Sequence, residues 1–110
     1  MKYTILINQA GIVQSGLHTQ TDYIDWALLE YISDLRIENK FPSGCFYLMR
    51  YDCLIADMPI LGFRITERES IKKRIQKLVD LALMSTAHDF SDGIYVRTTD
   101  LYLSIAKGIV

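Results

Sequence analysis

The sequence predicts an α+β domain in which three helices are backed by a small antiparallel sheet. Three observations lead there. Apolar residues recur at helical spacing from Thr21 to about Glu38, and again after Thr66. Between these segments, Pro59-Ile60-Leu61-Gly62-Phe63 reads as a tight apolar turn, since proline stops the preceding helix and Gly62 suits a positive backbone angle. Toward the end, Phe90-Ser91-Asp92-Gly93 forms a turn leading into Ile94-Tyr95-Val96-Arg97, the pattern of a hairpin.

Residues 2–7 alternate (Tyr3, Ile5 and Ile7 against Thr4 and Leu6) and read as a short N-terminal strand. Asn8 is placed to cap a brief helical turn that Gly16 ends. The first long helix starts near Thr21, where Thr19 or Thr21 can cap it and Asp22 and Asp25 complement its positive end. Ile24, Leu28, Tyr31 and Leu35 form its buried stripe, and Trp26, Leu29 and Ile32 widen it enough to touch more than one neighbour. Residues 39–45, with Pro42 and Gly44, read as a loop, and Phe46 to Met49 as a very short strand.

Arg50 to Met58 has the length of a two-turn helix. Thr66-Glu67-Arg68-Glu69 fits a capping box for the third helix, whose inner face is Ile71, Ile75, Leu78 and Ala82. Leu83 and Met84 lead into a strand, and Thr99 to Lys107 reads as a last short helix, the C-terminal segment being helical or extended. The order is helix, short strand, helix, turn, helix, strand, turn, strand.

At 110 residues, half of them hydrophobic, the chain reads as one domain, 1–110, with enough apolar content for a core that needs no disulfide or metal. Cys45 and Cys53, the only cysteines, match neither a zinc nor a redox spacing, and His18 and His88 lie far from them; two partly buried free thiols are expected, which suits a cytoplasmic protein. The N-terminal apolar run is too short for a signal peptide, and no stretch is long enough to span a bilayer, so no membrane association is expected. No cofactor or catalytic residue is expected either. Ser15, Ser43 and Ser91 lie near glycines, but none sits in a nucleophile elbow, and there is no phosphate-binding glycine loop.

On Asp57-Met58-Pro59-Ile60-Leu61-Gly62, a helix opened by Thr66, Ser70-Ile71-Lys72-Lys73-Arg74-Ile75-Gln76-Lys77-Leu78 and the exit Leu81-Ala82-Leu83-Met84, the chain resembles the winged helix-turn-helix superfamily. It looks most like small phage and mobile-element domains that regulate transcription or begin replication. The resemblance covers about residues 20–98. It implies a three-helix core with a small sheet and wing, and duplex DNA as partner. Two departures stand out: Ala82 occupies a position where such domains usually have glycine, and the wing, Ser85 to Thr98, lacks a basic tip.

A basic outer face on an amphipathic helix is often only a solvated face, and it is the helix-turn-helix order around it that turns the charge pattern toward DNA. The whole chain carries 12 basic and 13 acidic residues, a net charge of -1. Between Arg64 and Lys77 stand six basic and two acidic residues, a local +4, leaving six basic and eleven acidic, or -5, elsewhere. With Ile71, Ile75 and Leu78 turned inward at about 100° per residue, Glu69, Lys73 and Gln76 lie opposite, flanked by Lys72 and Lys77, with Arg68 in the first turn. The expected DNA-binding set is Arg64, Thr66, Arg68, Glu69, Lys72, Lys73, Gln76 and Lys77. Arg68, Glu69, Lys73 and Gln76 suit base edges, whereas Arg64, Lys72 and Lys77 suit phosphates. Arg74, nearer the buried edge, is expected to pair with an acid of its own domain.

Asp89 and Asp92 at the wing tip would repel phosphate unless held away from it, so the wing is expected to help little; His88 and Arg97 are its remaining candidates. The competing reading is a protein–protein interaction module on the same scaffold, an inhibitor or adaptor whose acidic body and tyrosines (Tyr3, Tyr23, Tyr31, Tyr47, Tyr51, Tyr95 and Tyr102) meet a partner. Residues 2–7 and the apolar segment 99–110 either form a homodimer contact or pack on the first helix, and the sequence leaves both open.

Overall fold

In the computed structural model, which describes residues 4–63 and 68–108, five helices surround one face of a four-stranded antiparallel sheet. Helix α1 (Gln9–Ser15) is capped by the Asn8 side chain, which accepts from the amide of Gly11, and ends at Gly16 in the left-handed region. A single 3-10 turn at Leu17–Thr19 leads to α2 (Tyr23–Ser33). There Asp22, rather than either threonine, is the cap, and it makes a reciprocal capping box with Asp25. Thr21 instead accepts a hydrogen bond from the Trp26 indole, 2.8 Å.

Residues 25–32 of α2 are all buried, because this helix is covered all round and forms the centre of the molecule. Ile24 and Leu35, expected in the main stripe, only pack at its margin. The helix also stops short of Glu38. Ser33 folds its hydroxyl back onto the Glu30 carbonyl, Asp34 caps the end, and the chain then turns to bond Leu48 through the Ile37 carbonyl.

What read as a loop over residues 39–45 is largely a hairpin of β1 (Glu38–Phe41) and β2 (Gly44–Arg50), with Pro42 and Ser43 at the turn. The polar run Glu38-Asn39-Lys40 carries no strand signal because β1 is an exposed edge, with no apolar face to bury. The expected N-terminal strand is not formed: residues 4–8 join no sheet, and residues 1–3 lie outside the described set. This segment packs on the helices instead. The Leu6 amide donates to Glu30 Oε2 at 2.7 Å, and Asn8 Nδ2 donates to the Ile105 carbonyl at 3.0 Å.

Helix α3 (Tyr51–Asp57) is followed by a 3-10 turn, Pro59–Leu61, and by Gly62 at φ +73°, as its sequence predicts. Helix α4 (Arg68–Asp80) buries Ile71, Ile75 and Leu78. The expected cap, Thr66, and its neighbours Arg64 and Glu67 lie outside the described residues. Ala82 itself adopts φ +61° to turn the chain out of α4, the angle for which glycine would be the unstrained choice.

Strands β3 (Met84–Phe90) and β4 (Gly93–Thr98) then form a second hairpin, and α5 (Asp100–Lys107) is capped by Thr99. Strand order is β1-β2-β4-β3, so β2, lying between α2 and α3 in the chain, pairs with the last strand. Gly93 lets the strands close up: a side-chain carbon there would stand 2.6 Å from the Met49 carbonyl. Phe46, Met49, Met84, Ile94 and Val96 carry the sheet's share of the buried hydrophobic residues.

Candidate nucleic-acid interface

Helix α4 is anchored by its apolar face, and an anchored amphipathic helix must present its remaining side chains outward. Glu69, Ser70, Lys73 and Gln76 are exposed there, whereas Arg68, Lys72, Arg74 and Lys77 along its flanks are half-buried. Among the described residues Lys73 has no hydrogen bond or ion pair. Gln76 donates to Asp80 Oδ1 one turn on, 2.9 Å, a local contact that leaves it at the surface. Arg64 and Thr66, also expected in the DNA-binding set, are outside the described residues.

The two flanks have different partners. Arg74 and Lys77 converge on Asp25, which is fully buried in α2: the Arg74 guanidinium lies 2.9 Å from Oδ1 and the Lys77 ammonium 2.5 Å from Oδ2. Arg74 also bonds Asp22 at 2.9 and 3.1 Å. Burial works to raise the Asp22 carboxyl, but the Asp25 amide and the Arg74 guanidinium outweigh it and hold the group below the usual carboxylate range. Burial likewise favours loss of the Arg74 proton and is outweighed by the two carboxylates, so its guanidinium is held more firmly protonated than usual. Arg74 therefore pairs within its own domain, as its position on the helix predicts. Lys77, expected on phosphate, is a second strut between α4 and α2.

Arg68 and Lys72 instead meet the β3–β4 hairpin. Arg68 donates to the Ser91 carbonyl and lies 3.9 Å from Asp92; Lys72 lies 3.7 Å from Asp89. Beneath them is Tyr51, the fully buried first residue of α3. Its ring centroid is 5.7 Å from the Arg68 guanidinium carbon and 6.0 Å from the Lys72 nitrogen, and its hydroxyl donates to Asp89 Oδ1 at 3.2 Å. Burial first, and then Asp89, push the Tyr51 phenol well above its ordinary value, so it remains a donor. Nothing in the sequence singles Tyr51 out; its role needs three segments brought together.

Both hairpin acids thus lie against α4, and for Asp89 a one-residue irregularity in β3 is the reason. Thr86 pairs with Val96 and His88 with Tyr95, leaving Ala87 surplus, so Asp89 falls opposite Ile94 on the sheet face that meets α4. His88 stacks on Phe90 with ring centroids 6.0 Å apart. Arg97 alternates to the other sheet face and lies 4.4 Å over the Phe46 ring, away from α4. Neither joins the α4 surface.

The remaining side chains with reactive potential are scattered. Cys45 is half-buried and Cys53 is exposed, against the expectation that both would be partly buried; both are free. A bond to Glu38, then burial, raise the Cys45 thiol above its ordinary value, opposite to the shift an activated thiolate needs. Among the described residues no three His, Cys, Asp or Glu side chains are grouped to hold a metal, and no helix is long and apolar enough to cross a membrane. Comparison with known proteins adds no relative: no family model, no curated protein and no solved structure matches the chain.

Proposed function

We propose that this chain is a winged-helix domain that binds duplex DNA with the outer face of α4. The chain order supports the fold reading: a long helix, the β1–β2 hairpin, a short helix, a tight Pro–Gly turn, an amphipathic helix and the β3–β4 hairpin, with β2 paired to β4. The observation that carries the DNA reading is Lys73, a cation with no ion pair among the described residues, exposed at the middle of a helix whose opposite face is locked into the core. Ser70 and Gln76 stand with it as hydrogen-bonding groups, and Glu69 as an acceptor for a cytosine amine. Arg68 and Lys72 extend the surface. Their hairpin partners are exposed and distant, and ion pairs of that kind exchange readily for phosphate. Lys77 leaves the contact set because its partner Asp25 is fully buried and would be left with Arg74 as its one cationic partner among the described residues.

A second reading is a protein partner. It is favoured by the acids set against Arg68 and Lys72, and by the exposed apolar residues Leu6, Val13 and Tyr23, which are 69%, 49% and 57% accessible. Titration of a labelled duplex at two salt concentrations separates the two. The DNA reading expects affinity to fall steeply with salt, and Lys73→Ala to reduce the log–log slope by about one. Absence of binding even at low salt overturns it and leaves the protein partner.

A further inference from the structure

We infer that the β3–β4 hairpin is a built-in electrostatic latch, with Asp89 and Asp92 occupying on Lys72 and Arg68 the places that backbone phosphates would take. The inference rests on the DNA reading above and assigns a regulator to that same surface. Three features of the geometry carry it.

Asp89 is placed and does not simply drift near a lysine. One carboxylate oxygen accepts from the buried Tyr51 hydroxyl at 3.2 Å, and the other faces Lys72 at 3.7 Å. The surplus residue Ala87 is what turns this side chain, and not that of His88, toward α4. Next, the latch spans two segments. Asp92 and the Ser91 carbonyl at the hairpin turn engage Arg68, one helical turn before Lys72, so the pairs line up along the helix edge. Finally, the two ion pairs are weak enough to open. The Asp89 and Asp92 side chains remain 48% and 68% exposed, and both carboxylate separations exceed hydrogen-bonding distance, which leaves the exposed Arg68 bond to the Ser91 carbonyl as the one direct hydrogen bond to be exchanged.

Such a latch resists isolated anions and yields to a dense polyanion. A duplex engaging Lys73 first brings several phosphates to the neighbouring cations at once, which gives the incoming phosphates a high effective concentration against two carboxylates. The latch thereby lowers affinity for DNA in general and makes opening depend on a ligand that touches Lys73 and both latched cations together.

The experiment compares the wild-type chain with Asp89→Asn/Asp92→Asn, which removes both charges while asparagine keeps an acceptor for the Tyr51 hydroxyl. A Glu38→Gln/Asp100→Asn control makes the same change in net charge at exposed sites elsewhere. Fluorescence anisotropy with a random duplex of about 20 base pairs is read across a salt series. The latch predicts binding about fivefold tighter for the hairpin variant, with a salt slope steeper by about one to two. The control should move by less than about twofold. Adding Arg68→Ala/Lys72→Ala should abolish the gain.

A hairpin variant no tighter than the control, alongside wild-type binding that still needs Lys73, overturns the latch and leaves the DNA reading standing. A gain that survives loss of Arg68 and Lys72 also overturns the latch, as a net-charge effect. If neither the wild type nor the hairpin variant binds even at low salt, the DNA reading fails and takes the latch with it.

Discussion

The two ends of α4 carry the same kinds of side chain and put them to different uses. At the C-terminal end, Arg74 and Lys77 reach a carboxylate with no accessible surface, and withdrawing either leaves a charge partly unpaired in the interior. At the N-terminal end, Arg68 and Lys72 reach carboxylates that water already touches, and withdrawing either strands no buried acid. The burial of the acid, more than the identity of the base, therefore decides whether a cation is a strut or is available to a ligand.

That contrast breaks most visibly at Asp25. Asp25→Ala removes the shared acceptor of Arg74 and Lys77 and half of the capping box, and should destabilise the fold by about 3 kcal/mol. Thermal unfolding should show a midpoint lowered by on the order of 10 °C; an unchanged midpoint would remove the distinction between the two ends. A finer comparison sets Lys77→Met against Lys72→Met. Chemical denaturation should give a loss of about 1 kcal/mol for the first and under about 0.5 kcal/mol for the second.

The smallest effect lies in pH. The Asp22 carboxyl is held below its unfolded value, so its contribution is fully present above the unfolded pKa of about 4 and disappears as pH falls through the folded value. Asp22→Asn keeps a capping side chain but loses the charge facing Arg74. Urea unfolding between about pH 2 and 5 should therefore show a flatter acid limb for the variant. An identical limb would mean the Arg74 pair adds no pH-linked stability.

Much of this molecule is legible one segment at a time. Asn8 and Gly16 around α1, Pro59 and Gly62 after α3, the Ile71–Ile75–Leu78 face of α4 and the short helix that follows Thr99 are all local signals, and each is found where its chemistry predicts. The misreadings share a different character. Alternation alone suggested a strand before Asn8, but a strand exists only with a neighbour to pair with. Glu38-Asn39-Lys40 gave no strand signal, yet pairing with β2 suffices to make it one.

The candidate site divides the same way. Helical spacing places Lys73 and Gln76 outward and Arg74 near the core edge. The reach of Lys77 to Asp25, and the meeting of Tyr51, Lys72 and Asp89, depend on contacts between segments remote in sequence. Pattern along the chain identifies a charged face, but only the tertiary arrangement says which of its charges are already spoken for.

The surplus residue in β3 has one more consequence. Were the ladder regular beyond Thr86, His88 would stand opposite Ile94 and Asp89 would move on to Gly93. The side chain offered to Lys72 would then be an imidazole, neutral or cationic, in place of an anion. The polarity of the hairpin toward its helix is thus encoded in how many residues the strand contains, and a slip of one position would reverse it without any amino acid being exchanged.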